Sequence, residues 1–156
     1  MKSRGFTLIE MLVTVSLVAI LASVIVPITQ MSIQRVKEQE LKRDLREIRS
    51  AIDAYKEAGD NGRIYRTADS TAYPESLQTL VNGVVDVKDP KGRKIYFMRR
   101  IPIDPMAESS TVSPELTWGL RAYRSEPDNP QAGDDVYDVH SLSGRLGLNG
   151  RPYKEW

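Results

Sequence analysis

The chain has 156 residues, 28% of them charged, and its formal net charge is +1 at pH 7. A balance this close to neutral does not indicate a nucleic-acid-binding protein, and we expect no nucleic-acid partner. The sequence contains no cysteine, which excludes disulfides and a thiol nucleophile. Once the roughly 50 to 60 residues of a leader and a long N-terminal helix are set aside, about 100 residues remain, which is enough for one small hydrophobic core.

The N-terminus is a short cationic leader followed by a long apolar run. Lys2 and Arg4 precede Gly5, and from Phe6 to Ile28 almost every residue is apolar. A helix of this length, rising about 1.5 Å per residue, would measure roughly 34 Å, against about 30 Å for the hydrocarbon core of a bilayer. We therefore predict that residues 6–28 form a transmembrane segment.

One carboxylate interrupts the apolar run. Glu10 is its only charged residue, and a charge at membrane depth is costly enough to indicate a functional role. No small-x-small cleavage site follows the run, and no cysteine is present to carry a lipid. The sequence Gly5-Phe6-Thr7-Leu8-Ile9-Glu10 resembles the type IV prepilin signature of pilins, pseudopilins and related filament subunits. The alternative is an uncleaved signal anchor.

The resemblance implies how the N-terminus is processed. A prepilin peptidase would cleave between Gly5 and Phe6 on the cytoplasmic side, and the new amino group of Phe6 would be methylated. Lys2 and Arg4 agree with a cytoplasmic N-terminus. The resemblance then implies a single-pass protein of the inner membrane with a periplasmic head. In a filament, the Glu10 carboxylate would neutralise the α-amine of Phe6 on a neighbouring subunit.

The helix is predicted to continue beyond the membrane, over about residues 7–58. Pro27 removes a hydrogen bond to the carbonyl of Ser23 and predicts a kink rather than an end. Apolar residues then recur every three or four positions, at Ile33, Val36, Leu41, Leu45, Ile48, Ile52 and Tyr55. This spacing predicts an amphipathic half over residues 29–58. Taken alone, the segment would also suit a coiled coil or stalk.

The remaining residues, 59–156, predict a small globular head. A short helix is expected over Tyr73–Val81, with Pro74 in its first turn. Three antiparallel strands are expected at Lys94–Arg100, Leu116–Arg124 and Val136–Ser141. The predicted fold class is α+β, with a long transmembrane and amphipathic N-terminal helix packed on a small C-terminal antiparallel sheet, as in pilins.

A second resemblance covers the head. Its motifs are Tyr73-Pro74, Ile101-Pro102-Ile103-Asp104-Pro105, Trp118-Gly119 and Asp138-Val139-His140-Ser141, in that order. They are similar to the major, G-type pseudopilin of type II secretion systems. The ending Gly150–Trp156 looks like that of a branch of G-type-like proteins with a C-terminal aromatic tail.

These resemblances imply a structural subunit and not an enzyme. The subunit would form a homopolymer through its N-terminal helix, with prepilin peptidase, an inner-membrane assembly platform and minor pseudopilins as partners, and would promote protein export. Two alternatives remain open at this stage. One is a type IV pilin, major or minor, for adhesion, motility or DNA uptake, and the other is a membrane-anchored periplasmic binding module that does not polymerise.

The family resemblance also raises a calcium ion as a cofactor. Asp134, Asp135, Asp138 and the hydroxyl or carbonyl oxygen of Ser141 would supply part of a site of hard oxygen ligands. The sequence departs from the family here, because its C-terminal loop lacks the Gly-Thr-x-Asp-Asp ending and continues through Arg151-Pro152-Tyr153. A solvated acidic turn is the alternative.

Two further features favour structural explanations. His140 is the only histidine and lies in a predicted strand, where packing or surface exposure is favoured over catalysis. A basic cluster surrounds Tyr96 and Phe97; it consists of Lys88, Lys91, Arg93, Lys94, Arg99 and Arg100. This cluster would contact DNA in an uptake pilin, but a solvated loop is the simpler interpretation.

Overall fold

The computed structural model of the protein describes residues 6–67, 70–108 and 113–156. The chain divides into two compact units, Met1–Val36 and Lys37–Trp156. One helix, α1 (Leu8–Asp60, 53 residues), contributes to both units. Its bounds lie within two residues of the predicted 7–58, and the helix does not end at Pro27. A kink at Pro27 stays a prediction.

A turn that needs glycine closes the C-terminal end of α1. The amide of Asn61 donates to the carbonyl of Glu57, and the amide of Arg63 donates to the carbonyl of Ala58, both at 2.9 Å. Gly62 has φ +65°, a conformation that glycine adopts without steric cost. The helix end predicted near residue 58 is thus confirmed to within two residues.

The core of the second unit is built on one stripe of α1. Leu41, Leu45, Ile48 and Ile52 are at most 2% exposed and recur at steps of four and three residues, as an amphipathic helix requires. Residues from the rest of the unit pack against them; these are Leu77, Leu80, Met98, Ile101, Met106, Trp118, Val136, Val139 and Tyr153. The central part of the predicted stripe is therefore confirmed, whereas Ile33 and Val36 are exposed.

The short helix α2 (Leu77–Asn82) begins later than predicted. Its N-cap is Ser76, whose side-chain oxygen accepts a hydrogen bond from the amide of Thr79 at 3.3 Å. Pro74 is not in the first turn, as the sequence suggested; its carbonyl accepts from the amide of Val136 at 2.8 Å. A hydroxyl side chain at the N-cap satisfies a free amide, which proline at the first turn does not do.

The strands form two separate two-stranded antiparallel sheets. In the first, β1 (Val84–Val85) pairs with β2 (Lys94–Ile95), with Val84 opposite Ile95. In the second, β3 (Trp118–Arg121) pairs with β4 (Asp138–Ser141), with Gly119 opposite His140. Two short 3₁₀ helices complete the described elements, at Pro114–Thr117 and Tyr153–Glu155.

The prediction of three strands in one sheet was therefore wrong, although the α+β pilin-like class is confirmed. The predicted strand Lys94–Arg100 keeps only its first two residues, because the amides of Phe97 and Met98 both donate to the carbonyl of Leu80. These two bonds attach the segment to α2, so its amides do not join a strand ladder. The pairing partner β1 was missed, since two valines after a glycine carry little periodic signal.

Candidate assembly site

The apolar side chains of α1 within the first unit are exposed to a degree that a water-soluble protein rarely shows. Between Phe6 and Val36, the exposed fraction of the large apolar residues whose side chains the structure describes runs from 49% for Val13 to 85% for Leu8. By length and composition, α1 is able to cross a membrane, and none of its most apolar window is buried within the protein. A surface of this kind is covered by lipid or by other protein in the native setting.

The start of α1 brings Glu10 to Thr7. The amide of Thr7 donates to Oε2 of Glu10 at 3.4 Å, and the amide of Glu10 donates to Oγ1 of Thr7 at 3.3 Å. This reciprocal pair is a capping box, in which two otherwise free amides are satisfied. Sequence reasoning missed it, although the Thr-x-x-Glu spacing is its known signature.

Glu10 therefore has a partner within its own chain. The pairing predicted between Glu10 and the amine of Phe6 on a neighbouring subunit stays a prediction. Phe6 is 77% exposed, so its position at the start of the helix is open to a neighbour. Gly5, on the other side of the predicted cleavage point, lies outside the described residues.

The residues considered for calcium are engaged with protein groups. Asp135 accepts a hydrogen bond from the hydroxyl of Thr71 and another from the amide of Tyr123 at 2.8 Å. Oδ1 of Asp138 accepts from Nε of Arg49 at 2.7 Å. Both oxygens of Asp135 and Oδ1 of Asp138 thus already have donors, and the donor to Asp138 is a cation.

Ser141 is committed elsewhere, since its hydroxyl donates to Oδ2 of Asp104 at 2.6 Å. Across residues 6–67, 70–108 and 113–156, no cluster of three or more Asp, Glu or His side chains is placed to hold a metal. Asp135, Asp138 and Ser141 would have to share these oxygens with a calcium ion, whereas Asp134 is exposed. Calcium binding stays a prediction that the geometry does not favour.

Three head motifs that are far apart in the sequence meet around Asp104. This carboxylate is 2% exposed; its Oδ1 accepts from the amide of Met106 at 2.8 Å and its Oδ2 from Ser141. The amide of Asp104 donates to Oγ1 of Thr117 at 3.1 Å, and Nε1 of Trp118 donates to the carbonyl of Pro102 at 2.8 Å. The segment Ile101–Pro105 is thereby fixed to the sheet of β3 and β4.

Gly119 owes its identity to its cross-strand neighbour His140. A Cβ at position 119 would lie 2.2 Å from Nε2 of His140, so any larger residue would displace the imidazole. Burial lowers the pKa of His140, and nearby Arg49 lowers it further, whereas Asp138 raises it. His140 is thus a half-buried packing residue of the sheet, which agrees with the structural interpretation of the sequence.

Two ion pairs involve the loop that carries part of the basic cluster. Nη2 of Arg63 lies 2.6 Å from Asp86, and this hydrogen bond lowers the pKa of the Asp86 carboxyl. Nε of Arg93 lies 2.5 Å from Asp89 in the same loop. These pairs stabilise the connection between β1 and β2, which supports the interpretation of a solvated loop.

Comparisons with known proteins agree with this geometry. Residues 1–26 match the family model described as the prokaryotic N-terminal methylation motif, which covers Gly5, Phe6 and Glu10. Together with the long exposed apolar helix and the small α+β unit, this match defines a prepilin-like membrane-anchored subunit. No solved structure matches the chain.

The curated relatives indicate the family more narrowly than the N-terminal motif does. The chain is 32% identical to the type II secretion system core protein G of Vibrio cholerae, over 85% of this chain and 86% of the relative. It is 30% identical to the protein of the same name from Klebsiella pneumoniae, over 86% and 93% respectively. For the Dickeya chrysanthemi protein of that name, the identity is 29% over 96% and 95%. The chain belongs to the family of type II secretion system core protein G; it is a pseudopilin and not an enzyme.

Proposed function

We propose that this pseudopilin is cleaved between Gly5 and Phe6, methylated at Phe6 and held in the inner membrane by residues 6–28. Its leader, residues 1–5, would be removed on the cytoplasmic side, and the head, residues 59–156, would lie in the periplasm. The subunit would then polymerise through its N-terminal helix into a periplasmic pseudopilus that promotes protein export. Prepilin peptidase, the inner-membrane assembly platform and minor pseudopilins would be its partners.

One observation carries this proposal: the exposure of the large apolar side chains between Phe6 and Val36 whose burial the structure describes. At about 25 cal/mol per Å² of apolar surface, leaving such a helix in water would be very costly. A bilayer covers it in the stored subunit, and the helices of neighbouring subunits would cover it in a filament. The names of the curated relatives favour a secretion pseudopilus over a surface pilus.

The first experiment determines the N-terminus of the protein in cells. Intact mass and N-terminal sequencing are compared between a wild-type strain and one that lacks prepilin peptidase. We expect a methylated chain that begins at Phe6 in the first strain and an unprocessed chain with Met1–Gly5 in the second. If the leader is retained in both strains, the chain is an uncleaved anchor, and the non-polymerising binding module becomes the better description.

The second experiment separates two roles of Glu10. Glu10→Gln keeps the capping-box acceptor, because glutamine serves at this position too, but it removes the charge that would pair with the amine of Phe6. Glu10→Ala removes the acceptor and the charge. If charge pairing drives assembly, the two variants are processed and inserted, yet form at least tenfold fewer crosslinked multimers than the wild type. A tenfold decrease corresponds to a loss of about 1.4 kcal/mol in the free energy of subunit association.

Normal multimers and normal secretion in Glu10→Gln would contradict the pairing with Phe6 and leave the cap as the role of Glu10. Deleting the whole gene tests the biological assignment separately. Loss of secreted enzymes on deletion supports the pseudopilus, whereas loss of surface filaments with intact secretion supports a type IV pilin.

A further inference from the structure

The C-terminal segment of the chain is attached to α1 through one buried carboxylate. Glu38 is 7% exposed, and its Oε1 accepts two hydrogen bonds from the C-terminal region. One comes from the amide of Leu148 at 2.7 Å and the other from the hydroxyl of Tyr153 at 2.9 Å. Tyr153 is itself fully buried in the core. A buried charge persists where donors compensate for its lost hydration, and here the C-terminal segment supplies two of them.

A second attachment lies three turns further along α1, at Arg49. Its Nη2 donates to the carbonyl of Trp156 at 2.8 Å and to the carbonyl of Val139 at 3.0 Å, while its Nε donates to Asp138. One guanidinium thus connects α1, strand β4 and the last residue of the chain. Lys42 lies 4.6 Å above the ring of Trp156, which adds a cation–π contact.

The loop between β4 and the last turn is closed by its own backbone. The amide of Tyr153 donates to the carbonyl of Arg145 at 3.0 Å, and the amide of Lys154 donates to the carbonyl of Ser143 at 3.2 Å. Gly147 allows Trp156 to approach, since a Cβ there would lie 2.7 Å from Cζ2 of the indole. The rings of Tyr153 and Trp156 pack edge to face, with centroids 5.1 Å apart.

We infer that Tyr153–Trp156, held by Glu38 and Arg49, fastens the C-terminal loop of this pseudopilin to α1 and β4 without a metal ion. Two observations carry the inference. Both oxygens of Asp135 and Oδ1 of Asp138 already accept hydrogen bonds from protein donors, so a calcium ion at these oxygens would compete with them. The C-terminal segment meanwhile receives protein contacts at Leu148, Tyr153 and Trp156, from Glu38 and Arg49.

The test compares the thermal unfolding of the full-length chain in detergent micelles with excess calcium and with excess EGTA. Tryptophan fluorescence reports on the transition, because Trp118 and Trp156 both pack against the core. We expect midpoints that agree within about 1 °C, since a ligand that does not bind the native state does not stabilise it. A midpoint that rises with calcium, or falls with EGTA, overturns the inference.

Substitutions then test the attachment itself. Tyr153→Phe removes only the hydroxyl that donates to Glu38, and Glu38→Gln removes the charge that both donors face. Each is expected to lower the midpoint by roughly 5 °C, in EGTA and in calcium alike. Glu47→Gln is the matched control, because Glu47 lies exposed on the same helix, and its midpoint should equal that of the wild type.

Digestion with a carboxypeptidase, followed by intact mass, provides a readout that general destabilisation does not reproduce. The wild type should keep Trp156, and Tyr153→Phe should lose it severalfold faster at a temperature where both variants remain folded. If Glu38→Gln does not fold, the inference is tested by Tyr153→Phe and by the comparison of calcium with EGTA. Equal trimming in wild type and Tyr153→Phe, with equal midpoints, overturns the inference. Neither measurement depends on polymerisation or secretion, so the proposed function is tested separately.

Discussion

The two stretches of α1 have similar apolar side chains and opposite environments. Leu12 and Leu17 are 61% and 56% exposed, whereas Leu41 and Ile48 in the second unit are fully buried. The second stretch alternates apolar residues with charged ones, so one face meets the core and the other meets water. The first is apolar all round and has no core of its own to meet. One helix therefore serves as a structural element of a folded unit and, further along, as a surface for lipid or other subunits.

The largest effect expected from this difference is on stability, when the same leucine-to-alanine substitution is made in each stretch of α1. Leu41→Ala removes a fully buried side chain and should lower the free energy of unfolding of the second unit by about 2–5 kcal/mol. Leu17→Ala, in the exposed stretch, should leave that free energy unchanged. Chemical denaturation of the full-length chain in micelles, followed by tryptophan fluorescence, measures both.

In assembly, by contrast, the substitution in the exposed stretch should have a clear effect. Leu17→Ala is expected to reduce crosslinked multimers in cells, because it removes packing surface that only another subunit or lipid contacts. A stability loss in Leu17→Ala as large as that in Leu41→Ala would show that the two stretches are not distinct in the way their exposure indicates.

A second prediction concerns the buried carboxylate that joins the head motifs. Asp104→Ala leaves the hydroxyl of Ser141 and the amide of Met106 without an acceptor, and should cost about 1–3 kcal/mol of stability. Asp128→Ala is the control, since Asp128 lies exposed in the loop before β4 and its loss should change stability by less than about 0.5 kcal/mol. Equal effects would contradict the role given to Asp104.

These elements also show what the sequence was able to predict. The long helix and its buried stripe followed from periodicity over many residues, which is the strongest local signal a sequence carries. The head motifs were recognised in order, but not the contact of Asp104 with Ser141, since 37 residues separate the two. Such a contact depends on tertiary packing, and no local pattern reports it.

The errors have the same cause. Tyr96, Phe97 and Met98 read as a strand, yet the two backbone amides that follow Tyr96 bond to the end of α2. The acidic residues considered for calcium lie close in sequence, but each has its own donors from distant segments, such as Arg49 for Asp138. Two signals were available locally and overlooked: the capping box of Thr7 and Glu10, and the N-cap Ser76 of α2.

A smaller effect on stability is expected at Asp44, a buried carboxylate in the second stretch of α1, whereas Glu10 in the first stretch is exposed. Asp44 is 3% exposed, and burial raises the pKa of its carboxyl, although the hydrogen bond from Arg43 lowers it in part. Asp44 therefore binds a proton more readily in the folded state than in the unfolded state. Above the folded pKa, the ionised carboxyl lowers the stability of the folded state. This loss disappears as pH falls through the folded pKa.

Asp44→Asn should accordingly raise the midpoint of thermal unfolding at neutral pH, and the gain should shrink as pH approaches the ordinary range of an aspartate. Asp53→Asn serves as the control because Asp53 is exposed on the same helix, and it should give no gain. A lower midpoint in Asp44→Asn at neutral pH would mean that the bond with Arg43 outweighs the cost of burial.

The smallest effect is expected at His140, whose pKa is lowered by burial and by Arg49 against the opposing charge of Asp138. Well above pH 6.5, His140 is neutral in the folded and in the unfolded state, so its lowered pKa does not change stability there. As pH falls below about 6.5, the unfolded state takes up a proton first, and the second unit loses stability. His140→Gln should flatten the decline in midpoint between neutral pH and about pH 5.5, even if the loss of ring packing over Gly119 lowers all its values. Because His140 is the only histidine, its protonation is also directly observable by NMR, and an unchanged slope in the variant would assign the acid sensitivity to carboxylates instead.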